Sequence, residues 1–120
     1  MIPDGSTVAI DAFISFCLAD DILGEIESRF VREGHPSSLS VVNVAGIGGD
    51  GKDRGINHFA HKGLMRRFLC SNLSLANKIY PLITEDAFPC FMIPQGVLSH
   101  MMRAIASGKP GIITEVGMKT

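Results

Sequence analysis

Leu39-Ser40-Val41-Val42-Asn43-Val44-Ala45, running straight into Gly46-Ile47-Gly48-Gly49, is the stretch that decides the fold. A short run with apolar residues on both parities suits a strand buried on both faces of a parallel sheet. The glycines end that strand in a loop reaching Gly55. Upstream, the turn at Asp4-Gly5 precedes a β-rich run from Thr7 to Phe13. Asp20 or Asp21 is placed to cap a helix whose apolar face is Ile22, Ile26 and Phe30. Gly34 and Pro36 stop that helix. Downstream, Leu64 to Cys70 reads as a third strand, and Ser74 as the cap of a helix through Leu82. Cys90 to Ile93 is a fourth strand, broken by Pro94. Val97, Met101 and Ile105 mark a last helix, closed by Gly108 and Pro110, and Ile112-Ile113 opens a further strand. The order β-α-β-β-α-β-α predicts an α/β fold: an open, mostly parallel sheet with helices on its faces.

The chain has 120 residues, 46% of them hydrophobic, which is enough for one small domain with a real core. Eleven Lys+Arg against 12 Asp+Glu leave no basic stripe for nucleic acid. Arg66-Arg67 reads as a solvated face. The most apolar stretch, Val8 to Ala19, is interrupted by Asp11 and Ser15 and is too short to span a bilayer. Pro3, Asp4 and Gly5 stand where a signal peptide carries basic residues. Cys17, Cys70 and Cys90 are odd in number and form no C-x-x-C pair, so reduced thiols in a cytoplasmic protein are expected. The chain opens at a strand and stops after a strand signal with no polar tail, which reads as an incomplete domain. A truncated parallel sheet predicts an open edge, marginal stability and association.

Two phosphate motifs match the glycine loop by letter. Gly46-Ile47-Gly48-Gly49-Asp50-Gly51 fits G-x-G-x-x-G, but a dinucleotide site needs an acid about 20 positions on. After Asp53 none comes before Glu85. Gly46 to Lys52 also fits most of a P-loop. Asp53 then replaces the Ser or Thr that holds magnesium, beside Asp50, and two carboxylates oppose bound phosphate. A surface loop is the competing reading. His58 and His61 are three apart but lack a convincing third ligand, so hydrogen bonding or packing is expected there and no metal. Cys17 lies among Phe13, Ile14, Phe16 and Leu18 and reads as a buried structural thiol.

Pro94-Gln95-Gly96 lies between a strand and a helix, at the carboxyl edge where open α/β sheets bind ligands. Gln95 offers a neutral amide donor. Gly96 lets the backbone approach a ligand closely. The opening helix offers unbonded N–H groups. Together they suit an oxygen gaining negative charge in acyl transfer. A solvent-facing Gln at an ordinary helix start is the alternative.

The run Gly51-Lys52-Asp53-Arg54-Gly55-Ile56-Asn57-His58-Phe59-Ala60-His61-Lys62-Gly63-Leu64 resembles a stretch of the family I coenzyme A transferases, in the propionate/acetate and acyl-CoA:acetate/3-ketoacid branch. Asp4-Gly5 with Val8, Arg29-Phe30, Gly34-His35-Pro36 and Pro94-Gln95-Gly96-Val97-Leu98 resemble further family segments, in order. So do Arg103-Ala104, Gly108 to Gly111, Thr114, Val116 and Gly117. The resemblance covers nearly the whole chain and places it in the family's amino-terminal portion, residues 1–120 being part of one domain.

It implies transfer of coenzyme A between a short-chain acyl-CoA and a carboxylic acid. A glutamate carboxylate attacks the thioester, the released thiolate attacks the resulting anhydride, and a second acid collects the CoA by the reverse route. No cofactor is implied beyond the CoA thioester that serves as substrate. Gln95 and Gly96 would line the site. The nucleophile belongs to the carboxyl-terminal half, and none of Glu25, Glu27, Glu33, Glu85 or Glu115 sits in a matching glycine-rich context. The implied partners are acyl-CoA, a short carboxylate, the missing half or a complementary subunit, and further copies in a homo-oligomer. Two stretches depart from the family. A glycine-rich turn after the first strand is replaced by Phe13-Ile14-Ser15-Phe16-Cys17-Leu18-Ala19, whose side chains are expected to crowd a ligand. Cys70-Ser71-Asn72-Leu73 replaces a Gly-Gly-His-Trp-like segment. The alternatives are a non-catalytic subunit that binds acyl-CoA or a partner chain and, more weakly, a nucleotide-binding domain using the glycine loop.

Overall fold

Strands β1 (Thr7–Ile10), β2 (Leu39–Asn43), β3 (Met65–Cys70) and β4 (Cys90–Met92) lie in one sheet in sequence order. All three pairings are parallel. These bounds come from a computed structural model, which describes residues 1–49 and 53–118. Helix α1 (Asp20–Glu33) crosses from β1 to β2. A 3₁₀ turn (Gly55–Phe59) and helix α2 (Ile79–Thr84) serve the next two crossovers, and α3 (Gln95–Ala106) follows β4. Every residue of β2 is buried, as its apolar run requires of a central strand. Leu39, Val41 and Phe68 face Leu23 and Ile26 of α1, Ile56 and Phe59 of the 3₁₀ turn, and Ile79 and Leu82 of α2. Burying each such side chain contributes about 1.5–3 kcal/mol. The open, parallel α/β architecture expected from the sequence is the one found.

Several local expectations are corrected. Asp20 does not cap α1. Ala19 holds the N-cap position, and Asp20 is the first helical residue, free to bond elsewhere. Ile22 is 62% exposed; the helix buries Leu23 and Ile26 instead. Gly34 does end α1, in the left-handed region at φ 77°, donating its N–H to the Phe30 carbonyl. Ser74 caps no helix, because its N–H bonds the Asn72 side chain in a local turn and α2 starts only at Ile79. In α3 the buried residues are Leu98 and Ala104, while Ile105 is 53% exposed. Ile112-Ile113 opens no strand: among the described residues, 107–118 contains neither helix nor strand. No helix among the described residues is long and apolar enough to cross a membrane.

Candidate functional site at the carboxyl edge of the sheet

Pro94-Gln95-Gly96 stands at the carboxyl end of β4. The Ile93 N–H still bonds the Cys70 carbonyl at 2.8 Å, and Pro94 then turns the chain into α3. The first helical bond runs from the Leu98 N–H to the Pro94 carbonyl at 3.1 Å. The N–H groups of Gln95, Gly96 and Val97 are left without an intrahelical acceptor. Gln95 and Gly96 are exposed, and a Cβ added at Gly96 meets nothing within 4 Å. Beside the turn runs a groove of about 460 Å³, lined by Pro94, Gly96, Val97, His100, Ile112 and Thr114 among others.

The turn after β1 reaches the same edge. Ile14 and Cys17 have φ of 59° and 56°, a region that costs an L-residue with a side chain about 1–2 kcal/mol. For β-branched Ile14 this is a true outlier. The Ile14 N–H bonds the Gly46 carbonyl at 2.9 Å, and the Ser15 hydroxyl donates to the Gly48 carbonyl at 3.2 Å. The backbone thus takes a glycine-like path while carrying side chains. Those side chains do not crowd inward: Phe13 is 54% and Phe16 72% exposed. Cys17, expected to be buried, is exposed as well, because the left-handed turn swings it away from the core.

The glycines after β2 act in packing. A Cβ on Gly48 would lie 2.2 Å from the Leu75 carbonyl oxygen, and one on Gly55, at φ 60°, 2.7 Å from the Gly48 nitrogen. Buried Asn57 ties this knot to the next crossover, donating to the Leu75 carbonyl at 2.9 Å and accepting from the Lys78 N–H at 3.1 Å. Gly48 and Gly55 are buried, so the reading of a mere surface loop fails at both. No dinucleotide geometry follows either, since the loop enters a five-residue 3₁₀ turn instead of a helix. Asp53 pairs with the Lys78 ammonium. Asp50, Gly51 and Lys52 of the two phosphate motifs lie outside the described residues.

His58 and His61 converge on a carboxylate that the sequence did not single out. His58 Nδ1 lies 2.6 Å from Glu27 Oε2, and His61 Nε2 lies 2.6 Å from Glu27 Oε1. Asp20 accepts the Gly55 N–H at 2.7 Å and approaches Arg54 Nε at 3.2 Å. Gly24, between the two carboxylates on α1, leaves room for the His58 ring, whose Cε1 lies 3.5 Å from the position of a missing Cβ. Burial works against the charge on both acids. For Glu27 the bonds from His61 and His58 outweigh it; for Asp20 those from Gly55 and Arg54 do. Both carboxyls end below their ordinary values. No group of three or more His, Cys, Asp or Glu suited to a metal occurs among the described residues.

No family model matches the chain. Curated relatives match it end to end. It is 30% identical to caffeate CoA-transferase of Acetobacterium woodii over 120 residues, 100% of this chain and 23% of that protein. It is 31% identical to acetate CoA-transferase YdiF of Escherichia coli K12, over 99% of this chain and 22% of the relative. Mouse succinyl-CoA:3-ketoacid coenzyme A transferase 2B, mitochondrial, is 28% identical over 99% of this chain. The acyl-CoA transferase YdiF of E. coli O157:H7, solved as a thioester complex with CoA, superimposes with a TM-score of 0.88 at 30% identity. The match takes in 99% of this chain and 23% of that one. The chain is a relative of the CoA-transferases.

It spans less than a quarter of the length of the relatives it matches. In this CoA-transferase relative, Gln95 and Gly96 stand together at the carboxyl edge, the loop glycines hold the neighbouring connections, and two of the glutamates serve the scaffold. Glu27 serves His58 and His61, and Glu33 bonds Arg29 at 2.9 Å.

Proposed function

We propose that residues 1–120 are the amino-terminal part of a CoA-transferase that moves coenzyme A between a short-chain acyl-CoA and a carboxylic acid. Gln95 and Gly96 take the thioester side of the site, and the glutamate nucleophile comes from sequence outside this chain. The observation that supports this reading is the end-to-end likeness to a transferase solved with CoA, with Pro94-Gln95-Gly96 at the carboxyl edge of the sheet, where open α/β folds bind ligands. A carboxylate is a weak nucleophile, so the oxygen that gains charge when it attacks a thioester must be stabilised. The Gln95 amide and the free N–H groups of the first turn of α3 are donors of that kind. CoA enters and leaves as substrate. The protein works in the cytosol, where three free thiols stay reduced.

The test has two arms. The 120-residue chain alone should give no transfer between acetyl-CoA and propionate, and joining it to the rest of its reading frame should restore turnover. Turnover by the short chain would place the nucleophile within it and sink the reading. In the active form, Gln95→Ala should lower kcat by about 10²–10³-fold, the cost of one oxyanion donor.

A non-catalytic acyl-CoA- or partner-binding chain is the second reading. The side chains that replace glycine at Ile14 and Cys17 favour it. It predicts CoA binding without turnover even in the longest form. Nucleotide binding has the least support, because Gly48 and Gly55 are packed against backbone and so serve the packing of the loop.

A further inference from the structure

β3 and β4 each carry a cysteine on the face that packs toward α1. In the ladder Phe68 pairs with Cys90 and Cys70 with Met92. Residues two apart on a strand point to the same side. Phe68 and Cys70 belong to the core, and half-buried Cys90 packs against the same cluster. Cys70 and Cys90 are therefore diagonal neighbours on one face of adjacent strands. The Cys70 S–H donates to Cys90 Sγ. That bond holds the Cys90 thiol below its ordinary value although burial opposes it, and the same bond together with burial pushes the Cys70 thiol up. Cys90 is the readier thiolate of the two, and Cys70 keeps its proton.

Parallel strands lie about 4.8 Å apart and two residues rise about 6.6 Å, so diagonal Cα atoms stand about 8 Å apart. A disulfide spans about 4.4–6.8 Å between Cα atoms. The sulfurs are in contact, but they can join only if β4 advances along β3 by about 2 Å. β4 has only three residues. The Phe68 N–H to the Pro89 carbonyl at 3.0 Å and the Ile93 N–H to the Cys70 carbonyl at 2.8 Å bracket it. An advance of β4 breaks the second of these, the last ladder bond before Pro94. We propose that Cys90 and Cys70 are an oxidation site, at which a hydroperoxide forms a disulfide that advances β4 and displaces the Pro94-Gln95-Gly96 turn. The Cys90 thiolate attacks one peroxide oxygen; an S–O bond forms, the O–O bond breaks, and the other oxygen leaves and is protonated to water or, from an organic peroxide, an alcohol. The Cys70 sulfur then attacks Cys90 Sγ; the S–O bond breaks, and the Cys70 proton leaves with that oxygen as water. The two thiols lose two electrons and the peroxide gains them. A bridge of this kind is transient in a reducing compartment. Its effect on turnover rests on the CoA-transfer reading; the bridge and the movement do not.

The test uses the protein expressed from its whole reading frame, treated with hydrogen peroxide and then with dithiothreitol. Peptide mapping by mass spectrometry should find a Cys70–Cys90 bridge after peroxide and none after the reductant. Amide exchange across residues 93–98 should speed up about tenfold in the bridged form and slow again on reduction. Cys90→Ser should form no bridge and keep its exchange rates through the treatment. Cys70→Ala should stop at the sulfenic acid of Cys90, which dimedone traps. The wild-type measurements stand even if Cys70→Ala folds poorly. No Cys70–Cys90 bridge under peroxide, a bridge through Cys17 in its place, or a bridge that leaves exchange across 93–98 unchanged would each overturn the inference. Transfer from acetyl-CoA to propionate is assayed separately and should fall by up to about 10²-fold in the bridged form, as a small misplacement of a positioned group costs. A protein that forms the bridge and moves the turn but transfers nothing even when reduced refutes the transferase reading alone.

Discussion

At the residue scale, the decisive positions are those where the backbone path and the side chain disagree. Ile14 and Cys17 occupy left-handed backbone without being glycine. Glycine there relieves about 1–2 kcal/mol of strain and costs roughly 0.5–1 kcal/mol of chain entropy. Ile14→Gly and Cys17→Gly should therefore each raise the denaturant midpoint modestly with an unchanged slope, and a lowered midpoint would show that their exposed side chains stabilise the turn. Gly48 is the opposite case. Its missing Cβ falls inside the van der Waals shell of the Leu75 carbonyl, so Gly48→Ala should cost at least about 1–3 kcal/mol in the same titration. The turn at Pro94-Gln95-Gly96 was legible in the sequence because a strand-ending proline and a glycine frame the start of α3. Glu27 was not, because its partners His58 and His61 lie 31 and 34 residues away and only the α1 crossover unites them.

At the element scale, β2 was legible because an apolar run bounded by glycines has few other fates. The phases of α1 and α3 were not. α1 offers Ile22 and Leu23 side by side, and only the position of the sheet decides which one is buried. Ile112-Ile113 forms no strand because an apolar pair needs a ladder partner, and Gly111 at φ 150° and Gly117 at φ 90° bend the chain away from extended geometry. The carboxylates joining α1 to the 3₁₀ turn give this contact a pH dependence. Glu27 and Asp20 have folded-state pKa values below their ordinary 4.5 and 3.8, so the unfolded chain binds more protons as pH falls. Their stabilisation is full above the ordinary values and is lost as pH falls through the depressed ones. Glu27→Gln should weaken the protein by about 1–3 kcal/mol at neutral pH and flatten its acid limb. An acid limb identical in wild type and variant would place the pH dependence elsewhere.

At the scale of the whole molecule, β4 leaves one edge of the sheet unpaired among the described residues, and apolar surface gathers around it. Phe91 is 49% exposed, Met92 65%, Val116 62% and Ile113 fully so. Single exposed apolar residues are ordinary, but several around an unpaired strand make a template for another chain. On the proposed reading, sequence beyond this chain covers this side. In the isolated 120-residue chain nothing does, so sedimentation should show association that grows with concentration, together with binding of a hydrophobic dye. Met92→Lys puts a charge on the edge strand without touching the α1-side core, and should shift the population toward monomer while leaving the far-ultraviolet spectrum intact. On the same reading, this substitution in the longer protein should destabilise it by burying an unpaired ammonium. If Met92→Lys leaves association unchanged in this chain and stability unchanged in the longer protein of the proposed reading, the β4 edge is not the surface that further sequence covers.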